Sequence, residues 1–232
     1  MKRFYKDVTT ARTDLGWTVH LDGRPIKTQG GQPQLVPNEA LAEMLASEWR
    51  AQGESIDPAG FRFRDMTDYA LDVVARDREP VIEKLLGYAE TDTLCYRADP
   101  DEPLYRRQQK DWEPLLCHFE EKHGVAFQRI SGVMHKPQPP ETIATLKAHL
   151  EQLDDFALAG MTALASLSAS LAIALLADDE AVNDPMLLWR DANLEEEWQA
   201  HQWGREEEAE ERRRKKGDEF SAAHTFMLLA RN

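Results

Sequence analysis

From Trp17 to Leu21 apolar and polar residues alternate, with Trp17, Val19 and Leu21 set against Thr18 and His20. A period of two belongs to a strand with one buried face. The turn signal "DGRP" follows at 22–25, and Asp-Gly accepts the positive φ that a tight hairpin requires. A second short strand is predicted at Ile26–Thr28, and "QGGQPQLVP" continues as loop and strand. Then the period changes. Asn38 behind Pro37 is a good N-cap, and "EALAEMLASEWRAQ" sets Leu41, Leu45 and Trp49 four apart on one helical face. Gly53 is expected to close that helix.

Helical spacing dominates from about Thr67. "DYALDVVARDREPVIEKLLGYAETDTLCYR" carries apolar residues at that spacing, with Pro80 near the start of a second helix. "EPLYRRQQKDWEPLLCHFEEKHG" predicts another, ending at Gly124; "VAFQRIS" predicts a short strand, "HKPQPP" a loop and "ETIATLKAHLEQLDD" a further helix. One long terminal helix is expected from Asp184, and "SAAHTFMLLA" closes the chain as an apolar helix or tail. The shift from strand to helix period places a boundary around 55–66. The expectation is an α+β chain: a β-rich domain with one helix over 1–62 and a helical domain over 63–232.

Phe156 to Ala177 carries no charge over 22 positions, long enough for a membrane span of about 20 residues. Gly160, Thr162, Ser166, Ser168 and Ser170 dilute it, and it runs into the acidic "DDE". A buried helix, or two short helices meeting near "SLSAS", is therefore expected, without membrane insertion.

Composition narrows the function. Of 232 residues, 42% are hydrophobic and 30% charged, which suits a folded soluble chain. The net charge of -14 opposes phosphate backbones, so nucleic acid is not expected as a partner. Cys95 and Cys117 are too few for a disulfide framework. "MKRFYKDVTT" has no apolar run behind its basic residues, so no signal peptide is read and a cytoplasmic protein is expected.

Candidate chemistry is sparse. No GxGxxG, GxxxxGK[ST] or GxSxG motif occurs. His118 and His123 fall on different helical faces, His149 and His224 stand alone, and no metal or other cofactor is expected. Cys95 has no visible base, while Arg97 can fork onto a carboxylate.

The distinctive stretch is "LEEEWQAHQWGREEEAEERR", 194–213. On one continuous helix, Leu187, Leu194 and Trp198 form one stripe. Trp189, Ala192, Ala200 and Trp203 lie opposite, with Glu196 among them. Either the helix is sandwiched in a core with Glu196 paired to an arginine such as Arg97, or its aromatic residues surround a charge that meets a partner. Past Gly204, the pairs Glu208–Arg212, Glu210–Arg214 and Glu211–Lys215 are spaced by four, as in a self-stabilised solvated helix.

Together, "RFYKDV" at 3–8, "LDGRPIKT" at 21–28, "SEWRAQGESIDP" at 47–58, "TDTLCYRA" at 91–98 and "LEEEWQAHQWGREEEA" at 194–209 resemble the assembly chaperone family for the alpha subunit of the F(1) sector of ATP synthase. The resemblance implies a small N-terminal domain of sheet and helix before a larger orthogonal helical bundle, with no catalysis and no cofactor. It implies a monomer that binds the unassembled F(1) alpha subunit and covers the surface destined for the beta subunit. The family pattern in the terminal helix maps its Asp onto Glu195, its Glu onto Glu196 and its later Asp onto Glu206. Glu195, Glu196, Glu197, Trp203 and Glu206 are thus the expected partner-binding residues, with Arg97 and Trp198 as structural support. Two other readings stay open: a carboxylate-based hydrolase, which needs a polar pocket converging on two of Glu195, Glu196 and Glu197, and a generic helical adaptor.

Overall fold

The computed structural model describes residues 1–132, 134–179 and 184–231. They form two compact units: Met1–Arg78 with Asp154–Gly160 and Ala222–Asn232, and Glu79–Leu153 with Met161–Ser221. The α+β class holds, since a small N-terminal sheet precedes a mostly helical remainder.

In the first unit β1 (Val8–Thr13), β2 (Gly16–Leu21) and β3 (Arg24–Pro25) make an antiparallel sheet in that order. β2 is the alternating strand, with Val19 and Leu21 buried. Asp22 and Gly23 both take positive φ, 49° and 78°, so the turn needs only two residues and pairing resumes at once, Leu21 with Arg24 and His20 with Pro25. The third strand therefore sits at Arg24–Pro25, earlier than the expected Ile26–Thr28. Ile26 gives one more bond, its N–H to Val19 O at 3.0 Å. β1 has too polar a sequence, "VTTART", to announce itself; its register with β2 over six residues supplies the order.

Helix α1 (Glu39–Arg50) begins as expected, with the Asn38 side chain accepting from Leu41 N. It ends at Ala51 in ordinary helical conformation, so Gly53 does not close it. α2 (Arg62–Tyr69) runs on into a π-helical turn, Ala70–Val74. Its N-terminus is capped from α1: the Glu48 carboxylate accepts from Phe63 N at 2.7 Å and Arg64 N at 2.9 Å. Leu41, Leu45 and Val19 fill the core, beside Tyr5 set edge-on to Trp49 at 5.4 Å and Phe61 tilted against Trp49 at 4.6 Å. The chain end closes the same core. Phe226 and Met227 are buried there, and Asn38 Nδ2 donates to Leu229 O at 2.6 Å.

The second unit draws on α3 (Glu79–Glu90), β4 (Tyr96–Arg97), α4 (Pro103–His123), β5 (Ile130–Ser131), α5 (Pro140–Leu150), α6 (Asp155–Ser168), α7 (Leu171–Leu176), α8 (Pro185–Ala192), α9 (Leu194–Trp203) and α10 (Glu207–Arg231). α6 and α10 contribute residues to both units. α4 stops at Gly124 with φ 65°, as expected. The strand expected over "VAFQRIS" shrinks to Ile130–Ser131, parallel to β4. The charge-free segment is two helices, broken at Ala169 with φ 50° and restarted by Ser170, whose hydroxyl accepts from Ile173 N. Among the described residues no helix is long and apolar enough to cross a membrane. The expected single helix from Asp184 is instead three, α8, α9 and α10, for reasons local to the site.

Candidate partner-binding site

Asp184 caps α8 by accepting from Met186 N at 2.9 Å, and Pro185 at its first position lacks the N–H that would go unused there. At the other end Asn193 leaves helical conformation and folds its side chain back onto Trp189 O at 2.7 Å. α9 starts one residue later. Glu195, Glu196 and Glu197 form its first turn, where three carboxylates meet the positive end of the helix dipole. Gly204 ends it at φ 100°, ψ 159°, a conformation essentially restricted to glycine.

The break at Asn193 separates Trp189 from Trp203, which a continuous helix would have put on one face. Trp189 is buried and stacks on Phe220 at 5.5 Å. A Cβ on Gly217 would come within 3.0 Å of its indole nitrogen, so glycine lets α10 close on it. Trp198 is half-buried and lines a groove of about 910 Å³ with Leu115, His118, Asp191 and Leu194. The Asp191 carboxyl is pushed up to about 6 by burial. Trp203 is 89% exposed at the tip of α9. It borders a cleft of about 460 Å³ shared with Glu196, Gln199, Glu206 and Arg213.

Glu195 parts from Glu196 and Glu197. Glu195 Oε1 accepts from Gln108 Nε2 at 2.6 Å, and desolvation raises its pKa. Glu197 pairs with Arg205 and, at 2.5 Å, with Arg213. Glu196 keeps 64% of its side chain in solvent, with Arg213 Nε 3.8 Å away. Glu196 and Glu197 thus share Arg213 but line different clefts.

Arg97 does not pair with Glu196. It is buried, donates to Gln108 O at 3.0 Å and pairs with Glu113 at 3.1 Å. Gln108 in turn accepts from Ala98 N through its side-chain Oε1 and donates to Glu195 through Nε2, so among the described residues Arg97 reaches α9 through Gln108. Gln108 carries no chemical signature and lies 87 positions from Glu195, which hides it from any spacing argument. Arg213 was partly legible: its bond to Glu210 at 3.2 Å spans three positions. Beyond Gly204 the pairs Glu208–Arg212 and Glu211–Lys215 form, but Arg214 turns to Glu211 and Asp218 rather than Glu210.

Elsewhere the titratable groups serve packing. Cys95 is buried, and burial raises its pKa. His149 does not stand alone, since its ring meets His123 at 5.1 Å. Burial and His149 bring His123 down to about 4. Among the described residues no group of three or more His, Cys, Asp or Glu could hold a metal ion.

Comparison with known proteins gives this surface a context. The model of the ATP12 chaperone protein family matches residues 2–120. The chain belongs to that family. The atp12 protein of Schizosaccharomyces pombe, which is mitochondrial, is 27% identical over 223 residues, covering 90% of this chain and 76% of the relative. The crystal structure of Atp12 from Paracoccus denitrificans superposes with a TM-score of 0.90 at 34% identity, over 99% of this chain and 98% of that one. The Atu1473 protein of Agrobacterium tumefaciens reaches 0.93 at 36% identity, over 100% and 86%. ATP12 membership thus makes this an ATP synthase assembly chaperone. The family match ends at 120, ahead of α9, whereas the structural likeness to the ATP12 proteins extends across it.

Proposed function

We propose that this chaperone binds the unassembled F(1) alpha subunit and shields its beta-facing surface from aggregation until the catalytic head assembles. It acts as a monomer, without cofactor or turnover. The observation that carries this reading is Trp203, 89% exposed at a helix tip, with Glu196 and Glu206 at the rim of the same cleft. An exposed indole beside carboxylates supplies an apolar anchor and a charge that fixes register. Glu195 and Glu197, fastened to Gln108 and Arg213, hold α9 at the angle that presents the anchor. Arg97 supports it through Gln108, and Trp198 anchors it in the groove beside Leu115. Two free thiols suit a reducing compartment such as a bacterial cytoplasm.

Co-expression with the cognate alpha subunit tests this directly, the readout being the fraction of alpha that stays soluble. Soluble alpha should rise with the chaperone present; an unchanged fraction removes the proposal. Trp203→Ala and Glu196→Lys alter exposed side chains, so both should keep their helical circular dichroism. Each should weaken alpha binding by about 2 kcal/mol, roughly thirtyfold.

A further inference from the structure

Three stretches that carried the family resemblance, "RFYKDV", "LDGRPIKT" and "SEWRAQGESIDP", take no part in the α9 surface. In the first unit they come together around one cleft of about 550 Å³. Phe4, Tyr5 and Trp49 give it an aromatic wall, and Arg24, Lys27 and Arg64 ring it with cations. The rings form a ladder: Phe4 on Tyr5 at 5.3 Å, Tyr5 on Trp49 at 5.4 Å and Trp49 on Phe61 at 4.6 Å. The inner rungs are buried, while Phe4 stands 62% exposed at the lip. Arg64 lies over Phe61 at 4.7 Å and Trp49 at 5.6 Å, which fixes its guanidinium at the cleft.

The charge of this cleft opposes that of the chain. In a protein of net charge -14, three cations meet one carboxylate, Asp22. Asp22 accepts from Lys6 N at 3.0 Å and Asp7 N at 2.8 Å but keeps its charge, which attracts Arg24, so the cations still outnumber it. Arg64 has Asp68 at 3.7 Å. Neither Arg24 nor Lys27 has a hydrogen-bonded carboxylate among the described residues, and both are exposed. Nor is the site suited to strand addition. Arg24–Pro25 is the sheet edge that lines the cleft, and Pro25 has no N–H to offer a guest backbone. Recognition there must run through side chains.

From this geometry we infer that the cleft is a second docking site, and that it takes an acidic segment of another protein bearing a bulky apolar residue. The apolar residue packs on Phe4 and the Tyr5–Trp49 edge, and flanking carboxylates pair with Arg24 and Lys27. The site lies apart from α9 in sequence and does not depend on what α9 binds.

A fluorescein-labelled peptide with a Leu-Phe pair between runs of glutamate probes it, using anisotropy on the full chain. Binding should appear and weaken as salt is raised. Arg24→Glu with Lys27→Glu, and separately Phe4→Ala, should each weaken it at least about tenfold with unchanged circular dichroism, since all three side chains are exposed. Peptides with lysine for glutamate, or Gly-Ser for Leu-Phe, should bind at least about tenfold more weakly. Equal binding of the lysine peptide, or an affinity unmoved by both variants, overturns the inference. So does a peptide-displaceable dimer of this chain in sedimentation, because the cleft would then serve a second copy.

Discussion

Glu48 shows how one side chain can be both a structural peg and a titration site. It is 9% exposed, and its carboxylate stands in for the missing acceptors at the start of α2. Burial raises its pKa from 4.5 to about 7, against the pull of the Phe63 and Arg64 amides. The folded state therefore holds a proton that the unfolded chain has already released. Its contribution to stability falls as pH rises from 4.5 through about 7, then levels off. Glu48→Gln abolishes this titration. Urea unfolding at about pH 5 and pH 8 should show the stability of wild type minus variant dropping by about 2–3 kcal/mol between the two. An equal difference at both pH values would mean that Glu48 ionises as freely as in the unfolded chain. Asp92 obeys the same logic at about 6, buried while accepting from Leu94 N, Ser170 Oγ and Ala172 N.

Helices α8, α9 and α10 illustrate how punctuation outweighs periodicity. Apolar spacing alone joins them, yet Asn193 and Gly204 interrupt the ladder and turn Trp189 inward and Trp203 outward. Asn193 parts Trp189 from Trp203, and Gly204 at φ 100° makes the second break, between α9 and α10. An alanine there meets a cost of about 1–3 kcal/mol. Gly204→Ala should lower the melting temperature and reduce protection of the alpha subunit although Trp203 and every carboxylate remain. Full protection at an unchanged melting temperature would show that the turn does not set the presentation of α9. Glycine was visible in the sequence, but its φ was not: Gly53, an equally plausible helix stop, ends nothing.

The molecule as a whole is not two successive segments. Residues 222–232 belong to the first unit, with Met1–Arg78. Phe226 and Met227 are 0% and 1% exposed, and Gly160 lets Met227 approach where a Cβ would lie 2.3 Å from its Cγ. Removing the two side chains forfeits about 1.5–3 kcal/mol each. A chain truncated after Ser221 should lose hydrogen-exchange protection in α1, far from the cut along the chain. Intact protection in that helix would refute the closure. The net charge of -14 acts at the same level: it keeps copies apart and steers basic partners, while the local reversal around Arg24 and Lys27 gives one face the opposite preference.

Local chemistry was written plainly enough to read. The Trp17–Leu21 alternation, the Asp22–Gly23 turn, the Asn38 cap and the Gly124 stop all depend on neighbours a few positions apart. The motifs that carry family membership could be read the same way. What needed the folded chain were relations between distant residues: β1 ordered by its pairing rather than by apolar content, Arg97 turned to Glu113 instead of Glu196, Gln108 beneath Glu195, and a C-terminal segment completing an N-terminal core. Such pairings are chosen by which buried polar group finds a partner and which apolar face finds a cover, and neither leaves a period in the sequence.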